Sequence, residues 1–339
     1  MNNQLLSLLI AASLLLCGFN SAAECNVPLQ QQIPPNQYAA LVDLYNATGG
    51  NNWYYNTGWL TTSSSWYGVG VQGVQYDTNC NVIALGYVAV LDLDTNNLIG
   101  TLPSSLAELT GLGYLSMAGY KYNYTNLVTL NIPTNSISGN IPDIFGTMTH
   151  LGYVDLSENT FTGNIPASLY GNPNNANSLE LLNLGANQLT GDIPLGLSNL
   201  GNLRTLDLSQ NGFGGTIPDF WTQFPKLQSL VLAGNDLVGQ IPSSMTLLPE
   251  ALNIDVSGNQ LYGNVPQFGP PLFHLGIEGN WFDVNSGSIP LSNIIQMIDN
   301  GMYVTYEPNG IYFPLLRVPL DLSSAGSNDC PSDQFMRLI

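Results

Sequence analysis

The residues able to do chemistry are few and scattered. Asp92 and Asp94 stand two apart and could imitate the carboxylate pair of a glycosidase. Similar acids return at Asp155, Asp207 and Asp255, so they belong to a repeated unit on a shallow face that cannot exclude water. His150 and His274 are the only histidines, and neither has a nucleophile motif nearby. The four cysteines, at 17, 25, 80 and 330, share no metal-ligand spacing with them. No catalytic residue, metal or cofactor is expected, which leaves recognition as the function class.

The acids are placed by an internal repeat. Leu91 to Pro103 (LDLDTNNLIGTLP) returns as Val154 to Pro166 (VDLSENTFTGNIP), and again at Leu206 to Pro218 and Leu230 to Pro242. An asparagine marks each unit, at positions 96, 135, 159, 187, 211, 235, 259 and 280. The L-x-L alternation makes a short strand that buries its leucines and presents the residues between them on the opposite face. The asparagine amide donates and accepts, so a stacked column can satisfy backbone groups that a tight coil would otherwise bury unpaired. Gly-x-Ile-Pro then bends the chain, adds an apolar residue to the core and stops the strand. A single unit cannot bury its own face, so about nine units over 82–290 are expected to stack into one elongated domain.

With its 24-residue unit and L-x-G-x-I-P signature, the chain resembles the plant-type leucine-rich repeats of polygalacturonase-inhibiting proteins and receptor-like-kinase ectodomains. The resemblance implies an α/β repeat solenoid, a right-handed superhelix with a parallel β-sheet on its concave face and a cap at each end. Residues 40–53 (ALVDLYNATGGNNW) and Trp66-Tyr67-Gly68-Val69 look like the N-terminal cap of that family. The family often places cysteine directly after Trp-x-Gly-Val, where this chain has Gly70, and Cys80 comes later.

The ends follow from composition. Leu5 to Cys17 is an apolar run too short to span a bilayer, and Ser21-Ala22-Ala23 follows, so 1–23 reads as a signal peptide. The cap is then 24–81, and 291–339 forms a C-terminal cap with Ile294, Ile295, Met297 and Ile298 on a short apolar helix face. Within the N-terminal cap Leu41, Leu44, Tyr45 and Thr48 fall at helical spacing, with Asn36 able to N-cap and Gly49-Gly50 able to terminate. Trp53, Trp59 and Trp66 would cover the first coil. Loss of Cys17 leaves three cysteines in an oxidising compartment; Cys25 and Cys80 would staple the cap, with Cys330 free or joined to another chain. Secretion, to the extracellular space or cell wall, is the expected localisation.

Five Lys+Arg against 23 Asp+Glu give a formal net charge of −18. That excludes nucleic acid, which needs a basic patch, and disfavours an anionic membrane. It would steer a basic partner toward the protein.

The pattern breaks twice. From Asn96 the next asparagine is due at 120, where Tyr120 stands, and it arrives at Asn135; the spacing suggests a truncated repeat near 112–126. That stretch holds Tyr114, Tyr120, Tyr122 and Tyr124 with Lys121, either a contact site or a local packing of tyrosines. Residues 171–177 (GNPNNAN) read as an inserted surface loop. Asn46 and Asn123 head glycosylation sequons.

The concave face would carry Asp92, Asp94, Tyr114, Ser116, Asn131, Tyr153, Asp155, Asn183, Asp207, Ser229, Val231, Asn253, Asp255, His274 and Glu278. In the inhibitor-like relatives this face binds protein, and the resemblance implies the same here, although Asp and Ser at these places are also ordinary repeat filler. The leading expectation is a secreted protein recognising an extracellular protein or glycan, possible roles being hydrolase inhibitor or defence factor. The alternative is a structural wall or matrix component without a discrete ligand. Third is ice binding along a lateral rank Ser138/Asn140, Thr162/Asn164, Thr190/Asp192, Gly214/Thr216.

Overall fold

A computed structural model of the protein describes residues 25–118, 135–282 and 302–305. Nine short strands lie side by side in parallel: Tyr87–Asp92, Tyr114–Ser116, Tyr153–Asp155, Leu181–Asn183, Thr205–Asp207, Ser229–Val231, Asn253–Asp255, His274–Gly276 and Tyr303–Thr305. Val69–Gln72 from the cap closes the first edge antiparallel. Leu91, Leu115, Val154, Leu182, Leu206, Leu230, Ile254, Leu275 and Val304 are in register and form one buried column. Each large apolar member contributes about 1.5–3 kcal/mol by burial, and each needs the next coil to complete it. The last strand continues the sheet past residue 290, so the described part of the C-terminal segment stacks as one more rung.

The asparagine column forms as its chemistry requires. Asn187 Nδ2 donates to the carbonyls of Leu156, Leu184 and Gly185, while its Oδ1 accepts from the Phe161 amide at 3.0 Å. Asn159, Asn211, Asn235, Asn259 and Asn280 repeat the pattern coil after coil. At the N-terminal end Asn96 turns instead to the cap, accepting from the Tyr55 amide and donating to its carbonyl.

Beyond the asparagines a second parallel sheet runs along the flank: Ile99–Thr101, Ser136–Asn140, Thr160–Gly163, Gln188–Asp192 and Gly212–Gly214. Its glycines are needed twice over. Gly191 has φ +86°, and a Cβ there would sit 2.7 Å from Asn164 Oδ1 of the preceding coil. The register of this sheet slides by two residues per coil: Ser138 faces Thr160, Thr162 faces Gln188, and Thr190 faces Gly212. The lateral rank expected for ice binding is therefore slanted, not straight. Several coils return through short 3-10 turns that begin after a proline, as at Ser104–Glu108, Leu195–Asn199 and Ser243–Leu247.

Two irregularities differ from their reading in the sequence. Asn135 Nδ2 donates to the carbonyls of Leu93, Met117 and Ala118, and its Oδ1 accepts from Asn96 and Leu98. Leu115 already fills the strand place between Leu91 and Val154. The interval is therefore one coil carrying extra chain between Ala118 and Asn135, where spacing alone suggests a shortened repeat. Tyr120, Lys121, Tyr122, Asn123, Tyr124 and Asn131 lie outside the described residues, as do the signal segment, the apolar helix face at 294–298 and Cys330. Residues 171–177 are not a plain loop: helices Ala167–Gly171 and Pro173–Ser178 meet there. Asn172 caps the second by accepting from Asn174 N, and its Nδ2 ties the turn to the Phe145 and Met148 carbonyls.

The cap opens with helix α1 (Leu29–Gln32) and helix α2 (Pro35–Ala47). Pro35 at the first helical position starts α2 with its φ already set. Asn36 thus sits inside the first turn, not at the N-cap, and donates to Glu108 Oε2. Leu41, Leu44, Tyr45 and Thr48 are buried as the spacing requires, and Gly49 ends the helix at φ +71°. Trp53, Trp59 and Trp66 are buried against one another, and Cys25 is bonded to Cys80. No described helix is long and apolar enough to cross a membrane.

Candidate ligand-binding face

Strand register sorts the expected contact residues into rows. One row runs Tyr114, Tyr153, Leu181, Thr205, Ser229, Asn253, His274. The next runs Asp92, Ser116, Asp155, Asn183, Asp207, Val231, Asp255, Gly276, Thr305. Asp94 and Glu278 fall one place further out. The structure thus brings the expected residues onto one surface, Asn131 excepted because it is not described. Leu181, Thr205, Gly276 and Thr305 are also on it and were missing from the sequence reading. The signal for the first three is the repeat itself, since each stands one unit from a residue already chosen, whereas Thr305 lies beyond the repeats expected over 82–290.

The face is closed at Tyr114, Ser116, Tyr153 and Asp155, between half-exposed Asp92 and Asp94 on one side and an open part on the other. Tyr114 and Tyr153 are only 3% and 8% exposed and stack on each other at 4.4 Å and 11°. Ser116 is fully buried, donating to Asp94 Oδ1, and Asp155 is buried with Ser157. Burial above all, then the charge of Asp155 and the neighbouring Tyr114 and Asp94, pushes the Tyr153 phenol far up. These four side chains are buried, where their strand positions suggest exposure.

From Asn183 onward the rows are half-exposed apart from buried Gly276. Asp207 Oδ1 accepts from the Ser209 amide and hydroxyl at 2.9 and 2.6 Å, which holds the carboxylate in place. Asp255 accepts from the Ser257 amide, and Asn183 from Gly185. Burial raises the Asp207 carboxyl above its usual range; the Ser209 bonds oppose this and the Asp255 charge adds to it. A hydrogen-bonded relay crosses three strands, with Asn253 Nδ2 donating to Ser229 Oγ and Asn253 Oδ1 lying 2.6 Å from His274 Nδ1. Glu278 accepts from the Thr305 hydroxyl. Gly276 leaves room for Asp255, whose Oδ1 would be 2.4 Å from a Cβ there. At the rim Arg204 pairs with Glu180 and lies 4.0 Å from Glu250, while Leu252 and Phe273 are exposed beside the relay.

The Leucine Rich Repeat family model matches residues 126–148, 178–200 and 202–224. Those segments fall on the coils whose strands and asparagines build both sheets. The chain carries leucine-rich repeats and resembles plant-type leucine-rich-repeat proteins. Among solved structures, this leucine-rich-repeat chain is similar to the ectodomain of the Arabidopsis thaliana membrane receptor kinase GASSHO1/SCHENGEN3 in complex with CASPARIAN STRIP INTEGRITY FACTOR 2. The TM-score is 0.59 at 24% identity, covering 80% of this chain and 29% of that one, a likeness of fold. It is similar also to PEPR1-AtPEP1, with TM-score 0.52, 28% identity and coverage of 74% and 36%. A plant ice-binding protein matches at TM-score 0.55 and 25% identity, covering 74% and 73%. The chain thus spans about a third of the two receptor ectodomains and most of the ice-binding protein. No curated protein matches it in sequence.

Proposed function

We propose that this leucine-rich-repeat protein is an extracellular recognition protein, not an enzyme, and that its ligand sits on the open part of the concave face. The carrying observation is the division of that face: the rows are buried from Tyr114 to Asp155 and half-exposed from Asn183 to Glu278. Asp207, Asp255 and Glu278 suit a basic extracellular protein or peptide, and the Ser229–Asn253–His274 relay supplies oriented polar groups between strands that do not need to move. The disulfide and the receptor-ectodomain neighbours support an extracellular setting. GASSHO1/SCHENGEN3 and PEPR1 were each solved with a bound partner, which supports the ligand-binding reading without naming the ligand.

The test places a photo-crosslinking residue at Val231, on the open face, or at Asn177, on the outer helical turn, and exposes each to the secreted fraction of the source cells. A discrete adduct from position 231 alone supports the proposal; an adduct from 177 alone, or none from either, overturns it. Ice binding is favoured by one observation, the fold of the plant ice-binding protein, and opposed by the slanted lateral register. The Ser138 and Thr160 hydroxyls also donate to backbone carbonyls within the solenoid. A thermal-hysteresis measurement separates the two readings.

A further inference from the structure

Residues 44–76 hold no Asp, Glu, Lys, Arg or His, in a chain of formal net charge −18. On this uncharged stretch of the cap three tyrosines face solvent: Tyr54, Tyr55 and Tyr67 are 55%, 47% and 42% exposed. The rings of Tyr55 and Tyr67 stack at 5.1 Å and 25°. Their backbones are fixed from below. The Tyr55 amide donates to Asn96 Oδ1 at 2.6 Å and its carbonyl accepts from Asn96 Nδ2 at 3.0 Å, so the asparagine that opens the ladder clamps this residue. The Tyr54 amide reaches the Asn96 carbonyl. Tyr67 donates to Thr57 O and accepts from the indole of buried Trp59 at 2.9 Å. In the same segment Asn51, Asn52 and Thr57 are also exposed.

The buried tryptophans pack against one another and against Tyr38 and Tyr45. Rigid amphipathic rings amid neutral amides suit a partner that is uncharged, with C–H faces to lie on the rings and hydroxyl edges to meet the amides. That is the chemistry of a neutral polysaccharide. The segment itself carries no counter-charge for an ionic partner, the neighbouring acid being Asp92, whose amide donates to Gly68 O. Because the rings of Tyr55 and Tyr67 are already stacked, little ordering entropy is lost by them on contact. We infer that Tyr54, Tyr55 and Tyr67 form a docking platform for neutral polysaccharide, separate from the concave face.

The test is depletion of the intact secreted protein onto insoluble cellulose, xylan and chitin, with affinity electrophoresis in mixed-linkage β-glucan. At least one of these should retain the protein, and 1 M salt should leave the retention unchanged because no ion pair is involved. The double variant Tyr55→Ala/Tyr67→Ala should weaken retention at least about tenfold, while Tyr55→Phe/Tyr67→Phe keeps the rings and most of the binding. If the alanine pair lowers the melting temperature, Tyr54→Ala, which leaves the stack in place, must still weaken retention. Asp207→Asn on the concave face should not affect it, so failure here is distinct from failure of the concave proposal. Absence of retention on all four polymers, equal retention by the tyrosine variants, or loss of retention in salt would overturn the inference.

Discussion

At the scale of single residues, similar side chains have very different weight according to their place in a coil. Asn187 is buried and its side chain bonds three carbonyls and an amide, whereas the side chain of exposed Asn177 donates to Pro173 O, its backbone carbonyl accepting from Asn202. Leaving buried backbone groups unsatisfied costs about 1–3 kcal/mol. Asn187→Ala should therefore destabilise by about 3 kcal/mol and Asn177→Ala by less than about 0.5 kcal/mol. Denaturant unfolding of the two variants checks this, and equal midpoints would contradict the ladder account. Asp207 makes a prediction of opposite sign. Its pKa is raised on folding, so its stabilising contribution is complete below the unfolded value of about 3.9 and is lost as pH rises through the folded value. Asp207→Asn keeps the acceptor for Ser209 and should melt higher than wild type at pH 7, with the gap closing near pH 3. A gap that persists or grows at pH 3 would rule this out. The ladder asparagines were legible in the sequence because their function depends on type and spacing alone. Burial of Ser116 and Asp155 was not, since strand alternation places a residue on a face without saying what else packs there.

At the scale of elements, alternation sets which way each strand faces. Leu206 is fully buried in the apolar column and Asp207 beside it is half-exposed. Leu206→Asp places an unpaired carboxylate in the core, at a cost of several kcal/mol, comparable to a domain's whole margin. Asp207→Ala removes no core contact. The first variant should unfold or fail to accumulate and the second should melt near wild type; indistinguishable melting would mean the strand faces are reversed. In the cap, Cys25 and Cys80 are 55 residues apart, and opening a loop of that length costs about 4 kcal/mol in the chain-entropy picture. Cys25→Ala/Cys80→Ala should loosen α1 and the antiparallel pair Gln75–Tyr76 and Val82–Ala84 that flanks Cys80 before the repeats, read as early hydrogen exchange at 25–85. Uniform exchange along the chain would contradict this. The strand elements were readable because period 2 and period 24 coincide. The helical turns at 171–177 were not, because Asn and Gly composition reads as loop while the buried amides of Asn172 and Asn175 hold the turns in place. The slide of the lateral register also escapes the sequence, as it comes from how coils tilt on one another.

For the whole molecule, stacked coils make one continuous core and hold the concave rows on a sheet with little freedom to rearrange. The overall architecture was legible because a repeated unit states its own stacking rule. The chemistry of the ligand was not, since filler and contact residues share the same positions and the same types. The central claim is that recognition occupies the open rows from Asn183 to Glu278. It is tested most directly by binding kinetics of the crosslinked partner to two alanine sets at 50 and 300 mM salt. One set is Asp207→Ala/Asp255→Ala/His274→Ala, and the other, on the outer turn, is Asn174→Ala/Asn177→Ala. The concave set should weaken binding at least about tenfold and lose most of the salt dependence of the association rate, with the outer set unchanged. Weakening by the outer set with the concave set unaffected would contradict the account.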